Sequence, residues 1–241
     1  MTPFEIEITL KDHQADPQGN ARLSGLLYLC QEAAGGHCKE LELDWDSMQK
    51  RGLFWALIRT RLEIIRLPKA GTPVKMMTWP MPTTRSAFPR AAEGYDENGN
   101  LLFRAVSLWV LMDTQKRTMV LPGKSGVDLE GLITGRELPV PGSIGPEETP
   151  ITQPYQVTAR DIDRNGHVNN TRYPDWLEAF PDLSLPPVKG LTACYLSEAL
   201  PEQELILQRS ELGEDLSFQV LRPRENDPEK PERIFACWLE F

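Results

Sequence analysis

The residues of this chain best suited to chemistry crowd into ten positions, Asp161-Ile162-Asp163-Arg164-Asn165-Gly166-His167-Val168-Asn169-Asn170. Two carboxylates, three carboxamides and one of only three histidines stand there together. They lead directly into Tyr173, Trp176, Leu177 and Phe180, apolar residues at i, i+3, i+4 and i+7, the spacing of one helix face. A histidine titrates near working pH and can take a proton from water, and a neighbouring carboxylate can orient or share that proton. A carboxamide can hold a polar substrate. Helix-start N–H groups near 169–172 would add donors on which a carbonyl can be polarised. The chemistry open to such a set is the attack of water on an activated carbonyl.

An apolar frame must hold those groups in place, and the chain supplies it twice. Asp16-Pro17-Gln18-Gly19-Asn20-Ala21-Arg22-Leu23 aligns with Asp163-Arg164-Asn165-Gly166-His167-Val168-Asn169-Asn170, with Asp and Gly in common. Each copy follows a strand-like run and precedes a helical pattern, which makes the pair an internal repeat in which only the second copy keeps the histidine. Residues 4–10 alternate at period two, as a half-buried strand does. Leu23, Leu26, Leu27, Cys30, Ala33 and Ala34 then predict a helix that Gly35-Gly36 weakens or ends. Strands are expected over 55–65, with Ala56, Ile58, Thr60, Leu62 and Ile64 on one face, and over 74–79 and 101–112. Asp96-Glu97-Asn98-Gly99 reads as a type I′ hairpin turn. Residues 122–150 carry five prolines and six glycines and read as a linker. The second copy repeats the plan: a strand near 156–159, the motif, a helix, then strands near 192–196, 205–210, 216–221 and 234–241. This is an α+β pattern, an antiparallel sheet wrapped around a helix and made twice. The expected division is a first domain over 1–130, a linker over 131–150 and a second domain over 151–241.

Composition narrows the partners. A net charge of −9 with no long Lys/Arg run argues against nucleic acid. No apolar run approaches a membrane span, and the first residues carry no basic and apolar secretory pattern. Cys30, Cys38, Cys194 and Cys237 are scattered without CxxC spacing and read as small buried hydrophobes; with His37 they make no metal site. The expectation is a cytoplasmic protein with no metal and no cofactor.

With Asp-x-Asp-x-Asn-x-His-Val-Asn-Asn-x-x-Tyr-x-x-Trp on the page, the chain resembles the acyl-ACP thioesterases of the plant and bacterial type. The run Leu26 to His37, the run Leu53 to Arg61 and the run Val106 to Asp113 also resemble segments of that family, in the same order. The resemblance implies two tandem hotdog domains in one chain, and an enzyme that hydrolyses the thioester of a fatty acyl chain on acyl carrier protein, so ending fatty acid synthesis. It carries the family's Asp, Asn and His onto Asp163, Asn165 and His167. Its further acidic residue falls on Glu198, where plant members have Glu followed by Cys and this chain has Ala199. The carboxylate is therefore the working group: Glu198 as base for water with the assistance of His167, Asn165 holding thioester or water, and Asp163 orienting Asn165.

The remaining candidates have structural readings beside the functional ones. Asn169 and Asn170 are candidate substrate ligands, and equally helix caps. Asp161 reads as turn chemistry, His37 as structural and His13 as surface. In the first domain Trp55, Met76, Met77, Trp79 and Trp109 are candidates to line an acyl pocket, with plain core packing the alternative. Acidic carrier protein needs a local positive patch, for which Arg85, Arg90, Lys116, Arg117 and Lys124 are candidates. The rival readings are an acyl-CoA thioesterase, a non-catalytic acyl-binding hotdog protein and a hydratase on the same scaffold. A tandem copy completes its own pairing, so both monomer and homodimer stay open.

Overall fold

The computed structural model describes residues 2–145, 151–183, 185–224, 226–227 and 230–241. They divide into two compact units, Met1–Pro141 and Gly142–Phe241. In the first, β1 (Phe4–Thr9) leads through a single 3-10 turn (Asp12–Gln14) to the long helix α1 (Leu23–Glu40) and the short helix α2 (Trp45–Lys50). Strands β2 (Leu53–Ile64), β3 (Pro73–Pro80), β4 (Phe88–Tyr95) and β5 (Leu101–Asp113) follow, then β6 (Met119–Val120) and the one-turn helix α3 (Pro122–Ser125). The strands pair antiparallel in the order β1-β3-β4-β5-β2, with β6 on β5.

Helix α1 lies against β1, β3 and β4 and buries Leu26, Leu29, Ala33 and His37. It does not stop at Gly35-Gly36. A Cβ on Gly36 would sit 3.0 Å from the Phe4 ring, so glycine is what lets the helix meet β1. The packing so gained outweighs a helix-propensity cost of about 1 kcal/mol per glycine.

Two other expectations are corrected here, and one strand was not expected at all. The single apolar face of β2 is split, because the pairing with β5 shifts between Leu57 and Arg59. Ala56 and Ile58 pack with Ala87, Leu108 and Val110, whereas Thr60 is opposite Ser107 on the other face. The Asp96 turn is not type I′, since Asn98 keeps a negative φ and only Gly99 is left-handed (φ 79°). Strand β4 escapes the sequence pattern altogether. Pro89, Ala91, Ala92 and Gly94 are poor strand formers, yet residues Phe88 to Gly94 are all buried, covered on both faces.

What covers the second face is the start of the expected linker. After α3, Val127 and Leu129 join the cluster of Leu43, Met48, Leu53, Phe88 and Leu111. Leu132 and Leu138 then cover Trp79, Ala91 and Val106. Glu137 accepts from the Trp79 indole (3.0 Å), Arg136 pairs with the buried Glu93 (3.0 Å), and Arg59 donates to the Pro141 carbonyl (3.3 Å). The first unit thus runs to Pro141, past the 130 boundary, and 131–141 is a strap on the sheet. Residues 146–150 of the expected linker lie outside the described residues.

The second unit has β7 (Ile151–Gln156), a 3-10 turn (Ala159–Asp161), a seven-residue 3-10 helix (Tyr173–Ala179), then β8 (Gly190–Tyr195), β9 (Glu204–Leu212), β10 (Asp215–Arg222) and β11 (Glu232–Glu240). Their antiparallel order is β8-β11-β10-β9-β7. The strand placed near 156–159 ends at Gln156. Pro154 is tolerated there because β7 is the last strand of this order. The helix after the motif is shorter and tighter than the apolar spacing predicts. Pro181 lacks the N–H that would bond back to Leu177, and Phe180 N–H instead closes a tight turn on the Leu177 carbonyl (3.1 Å). The apolar residues still form core: Tyr173 stacks on Phe235 at 4.6 Å, and Phe180 meets Phe218 edge-on at 6.4 Å.

Candidate active site

The motif folds as a closed turn before it is anything else. Asp163 N–H donates to the His167 carbonyl (2.8 Å) and Gly166 N–H to the Asp163 carbonyl (3.1 Å). The Asp163 carboxylate accepts from Asn165 N–H at 2.7 Å and from the Asn165 amide at 3.3 Å. Gly166 sits at φ 78°, a conformation that an L side chain strains. Around Asp16 the same bonds recur: Asp16 N–H to Asn20 O (2.8 Å), Gly19 N–H to Asp16 O (2.9 Å) and Gln18 N–H to the Asp16 carboxylate (2.9 Å). Gly19 also has φ 78°. The bridges Ala15–Ala21 and Ile162–Val168 close both copies. The repeat read from sequence is a repeat of backbone structure.

Asp161 holds this turn to the core and is itself 1% exposed. One carboxylate oxygen accepts from Thr158 N–H (2.9 Å), the Thr158 hydroxyl (2.8 Å) and the Tyr155 hydroxyl (3.1 Å); the other accepts from the Trp176 indole (3.2 Å). Burial opposes its ionisation, but these donors outweigh burial and hold its carboxyl below the usual range. Its carbonyl takes Asn169 N–H at 2.8 Å.

What the turn presents is His167. Its Nε2 lies 3.4 Å from a carboxylate oxygen of Glu198, with the two side chains 24% and 42% exposed. Glu198 stands just past β8, where Leu196 N–H (2.9 Å) and Ser197 N–H (3.1 Å) share the Ile234 carbonyl. The motif reaches this segment through Val168 N–H, which donates to the Ala199 carbonyl at 2.9 Å. Tyr173 makes the second tie. Its phenol hydrogen bonds with the Ala199 backbone and feels the charges of Glu198 and Asp163, and burial above all pushes it up. Ala199 is itself fully buried. An imidazole against a half-exposed carboxylate is a unit able to take a proton from water.

Other expectations change. Three of the four N–H groups meant to polarise a carbonyl are engaged: Asn169 on Asp161, Thr171 on the Asn169 side chain (3.0 Å) and Arg172 on the Asn169 carbonyl (2.9 Å). Asn169 is therefore a turn cap, its oxygen also taking the Thr171 hydroxyl, and Asn170 is half-buried in the same turn. In the first unit, Met76 is fully buried, and Trp55 and Trp109 pack with Phe88 and Leu111. Trp55 donates to the Leu43 carbonyl (2.9 Å) and Trp109 to the Ser107 hydroxyl (2.8 Å). Trp79 does not join them, because it faces the strap on the other side of the sheet. Arg90 is no surface cation. It is 7% exposed, and donates to His37 Nδ1 (3.1 Å) and the Thr78 hydroxyl (3.3 Å). Arg85, Lys116, Arg117 and Lys124 are exposed.

Sequence reading missed Arg222. Its guanidinium donates to the Glu198 carbonyl (3.0 Å), the Ser197 hydroxyl (3.2 Å) and Glu232 (2.7 Å). Twenty-four residues separate it from Glu198, and only the β10–β11 register brings it there.

Fold and site together define an α+β, hotdog-like protein with a histidine–carboxylate centre in its second unit. Two family descriptions match the chain: the acyl-ACP thioesterase N-terminal domain over residues 2–121 and the acyl-ACP thioesterase C-terminal domain over 145–186. The chain belongs to the acyl-ACP thioesterase family. It is 25% identical over 237 residues to the chloroplastic palmitoyl-acyl carrier protein thioesterase of Gossypium hirsutum, covering 90% of this chain and 54% of that one. It is 27% identical over 197 residues to the chloroplastic dodecanoyl-[acyl-carrier-protein] hydrolase of Cinnamomum camphora, covering 74% and 51%. It thus spans about half the length of the curated relatives it matches. Among solved structures, an acyl-ACP thioesterase from Bacteroides thetaiotaomicron superimposes with a TM-score of 0.82 at 21% identity, over 98% of this chain and 96% of that one. The 12:0-ACP thioesterase from Umbellularia californica gives 0.77 at 21%, over 99% and 96%. At these identities the two structures speak to fold.

Proposed function

We propose that this chain hydrolyses the thioester of fatty acyl chains on acyl carrier protein, releasing the free fatty acid in the cytoplasm and ending chain elongation. The observation that carries this reading is the 3.4 Å approach of His167 Nε2, within the segment that matches the family's C-terminal domain, to Glu198. The imidazole–carboxylate pair takes a proton from water as its oxygen bonds to the acyl carbon. The carbon–sulfur bond then breaks, and the thiolate leaves to be protonated. Ala199 offers no nucleophile beside Glu198, so the reading is direct attack by water with no acyl-enzyme step. Asp163 holds the turn, and through it Asn165, whose amide orients thioester or water. The interior of the first unit, faced by Trp55, Met76 and Trp109, is assigned to the acyl chain. The exposed Arg85, Lys116, Arg117 and Lys124 are assigned to the acidic carrier.

The test is thiol release from acyl-ACPs of graded chain length, with His167→Ala and Glu198→Gln beside the wild type. Loss of a proton-transfer group lowers kcat by about 10²–10⁴-fold, and both folded variants are expected in that range. Turnover of acyl-CoA with none of acyl-ACP would move the reading to the other carrier. Tight binding of acyl-ACP without thiol release would make the protein a binding module.

A further inference from the structure

We infer that Arg222, anchored by Glu232, is a positioning residue that sets Glu198 against His167; the inference rests on the assignment of Glu198 proposed above. Glu198 lies three residues beyond Tyr195, where β8 and its pairing with β11 end. Its carbonyl accepts from Arg222, the last residue of β10, through Nη1 at 3.0 Å. Nη2 of the same guanidinium donates to the Ser197 hydroxyl at 3.2 Å and to the Glu232 carboxylate at 2.7 Å. The Ser197 hydroxyl also bonds with Glu232, whose carboxyl is held below its usual range by Arg222 first of all. The result is a closed triangle of Ser197, Arg222 and Glu232 with Glu198 hung from one corner.

The planar guanidinium makes this arrangement stiff. Its N–H groups leave in fixed directions, so the bond to Glu232 also aims the bond to the Glu198 carbonyl. Lysine, a point charge on a flexible stem, could make one of these contacts and not hold all three. The pairing of β10 with β11 shifts between Val220 and Leu221, which sets Arg222 opposite Glu232. That shift aims Arg222 at the β8 end. The other side of the turn is fixed independently by Val168 N–H on the Ala199 carbonyl. Removing Arg222 therefore leaves the motif in place and loosens only the carboxylate. Misplacement of a catalytic group by about 1 Å can cost about 100-fold in rate.

The experiment uses the full chain with acyl-ACP and compares wild type, Arg222→Gln, Arg222→Lys and Glu198→Gln, with Arg222→Gln also built on Glu198→Gln. Arg222→Gln is expected to lower kcat by about 10–100-fold with KM within about two-fold, and Arg222→Lys to recover part of that loss. On the Glu198→Gln background the same change is expected to alter kcat by less than about two-fold, because the group it positions is gone. A loss of equal size in both backgrounds, or full activity in Arg222→Gln, would overturn the inference. The His167 imidazole resonances give a readout that needs no turnover: Arg222→Gln should shift them as Glu198→Gln does, and unshifted resonances would also overturn it. If Arg222→Gln does not fold, Glu232→Gln frees the anchor alone, and a smaller kcat loss with the same non-additivity is expected. A wild type inactive on acyl-ACP would sink the proposed function, while the resonances would still decide the role of Arg222.

Discussion

Acidification should destabilise the first unit through one buried imidazole. His37 is 5% exposed, stacks on Phe4 at 5.3 Å and accepts from the Arg90 guanidinium at Nδ1, 3.1 Å away. Protonation would place a cation in a dry site and turn that acceptor into a donor facing another donor. Burial first, and the charge of Arg90 second, lower its pKa from 6.5 to about 4. The unfolded chain therefore binds a proton that the folded chain refuses. Stability is complete above the unfolded value and is lost as pH falls from 6.5 towards 4. For those two values the loss between pH 7 and pH 5 is about 2 kcal/mol. Carboxylates with lowered pKa, such as Asp16 and Glu137, lose their contributions below their ordinary values near 4, and so lie outside this window. The assay is urea unfolding at pH 7, 6 and 5, followed by tryptophan fluorescence. His37→Asn keeps an acceptor for Arg90 and removes the titration. It should cost about 1 kcal/mol in lost stacking at every pH while flattening the pH dependence by about 2 kcal/mol. Parallel pH slopes for the variant and the wild type would refute the reasoning.

Two further outcomes test the supports of the site and of the sheet. Asp161→Asn would aim an amide NH2 at oxygen positions that now receive four donors, and should lower stability by about 2–3 kcal/mol; a melting temperature unchanged by the substitution would show that the turn is held without it. Glu137, lowered to about 2 by its Thr134 backbone bond and others against the opposing effect of burial, ties the strap to Trp79. Its contribution is present above pH 4.5 and lost as pH falls towards 2, and Glu137→Gln should cost about 1–2 kcal/mol at pH 7, measured as a lower urea midpoint.

β1 was legible from its period-two alternation, which one-sided burial leaves in a sequence, and β5, buried on both faces, from its long run of large apolar and aromatic residues; their ends agree with the pattern to within a residue. β4 was not legible: it is covered by α1 on one face and the strap on the other, so its small residues carry no alternation. The same double cover hid the fate of the Pro/Gly-rich segment. Prolines and glycines announce irregular backbone and say nothing of whether that backbone is bound. Of the site, His167 and Glu198 follow from the family motif. Arg222 does not, because its role comes from a register shift in a ladder between strands remote in sequence. Local chemistry can be read from spacing, whereas geometry supplied by pairing cannot.

The turn that carries the histidine is not itself catalytic chemistry, since it is built three times among the described residues. Asp96 N–H bonds to Asn100 O at 3.0 Å, Gly99 N–H to Asp96 O at 3.0 Å, and Asn98 N–H to the Asp96 carboxylate at 3.0 Å, as around Asp16 and Asp163. The fifth residue makes the difference. Asn20 and Asn100 send their amides back to the aspartate, at 3.1 and 3.0 Å, and so close the turn on itself. At the third copy the fifth residue is His167, and the amide that returns to the aspartate comes from Asn165 instead. The imidazole is thereby turned outward, to the carboxylate that the end of β8 delivers. On this reading Asp163 serves the backbone first and the reaction only through it. The site arises from a stable, reusable turn by exchange of one self-directed amide for a ring that must find its partner elsewhere.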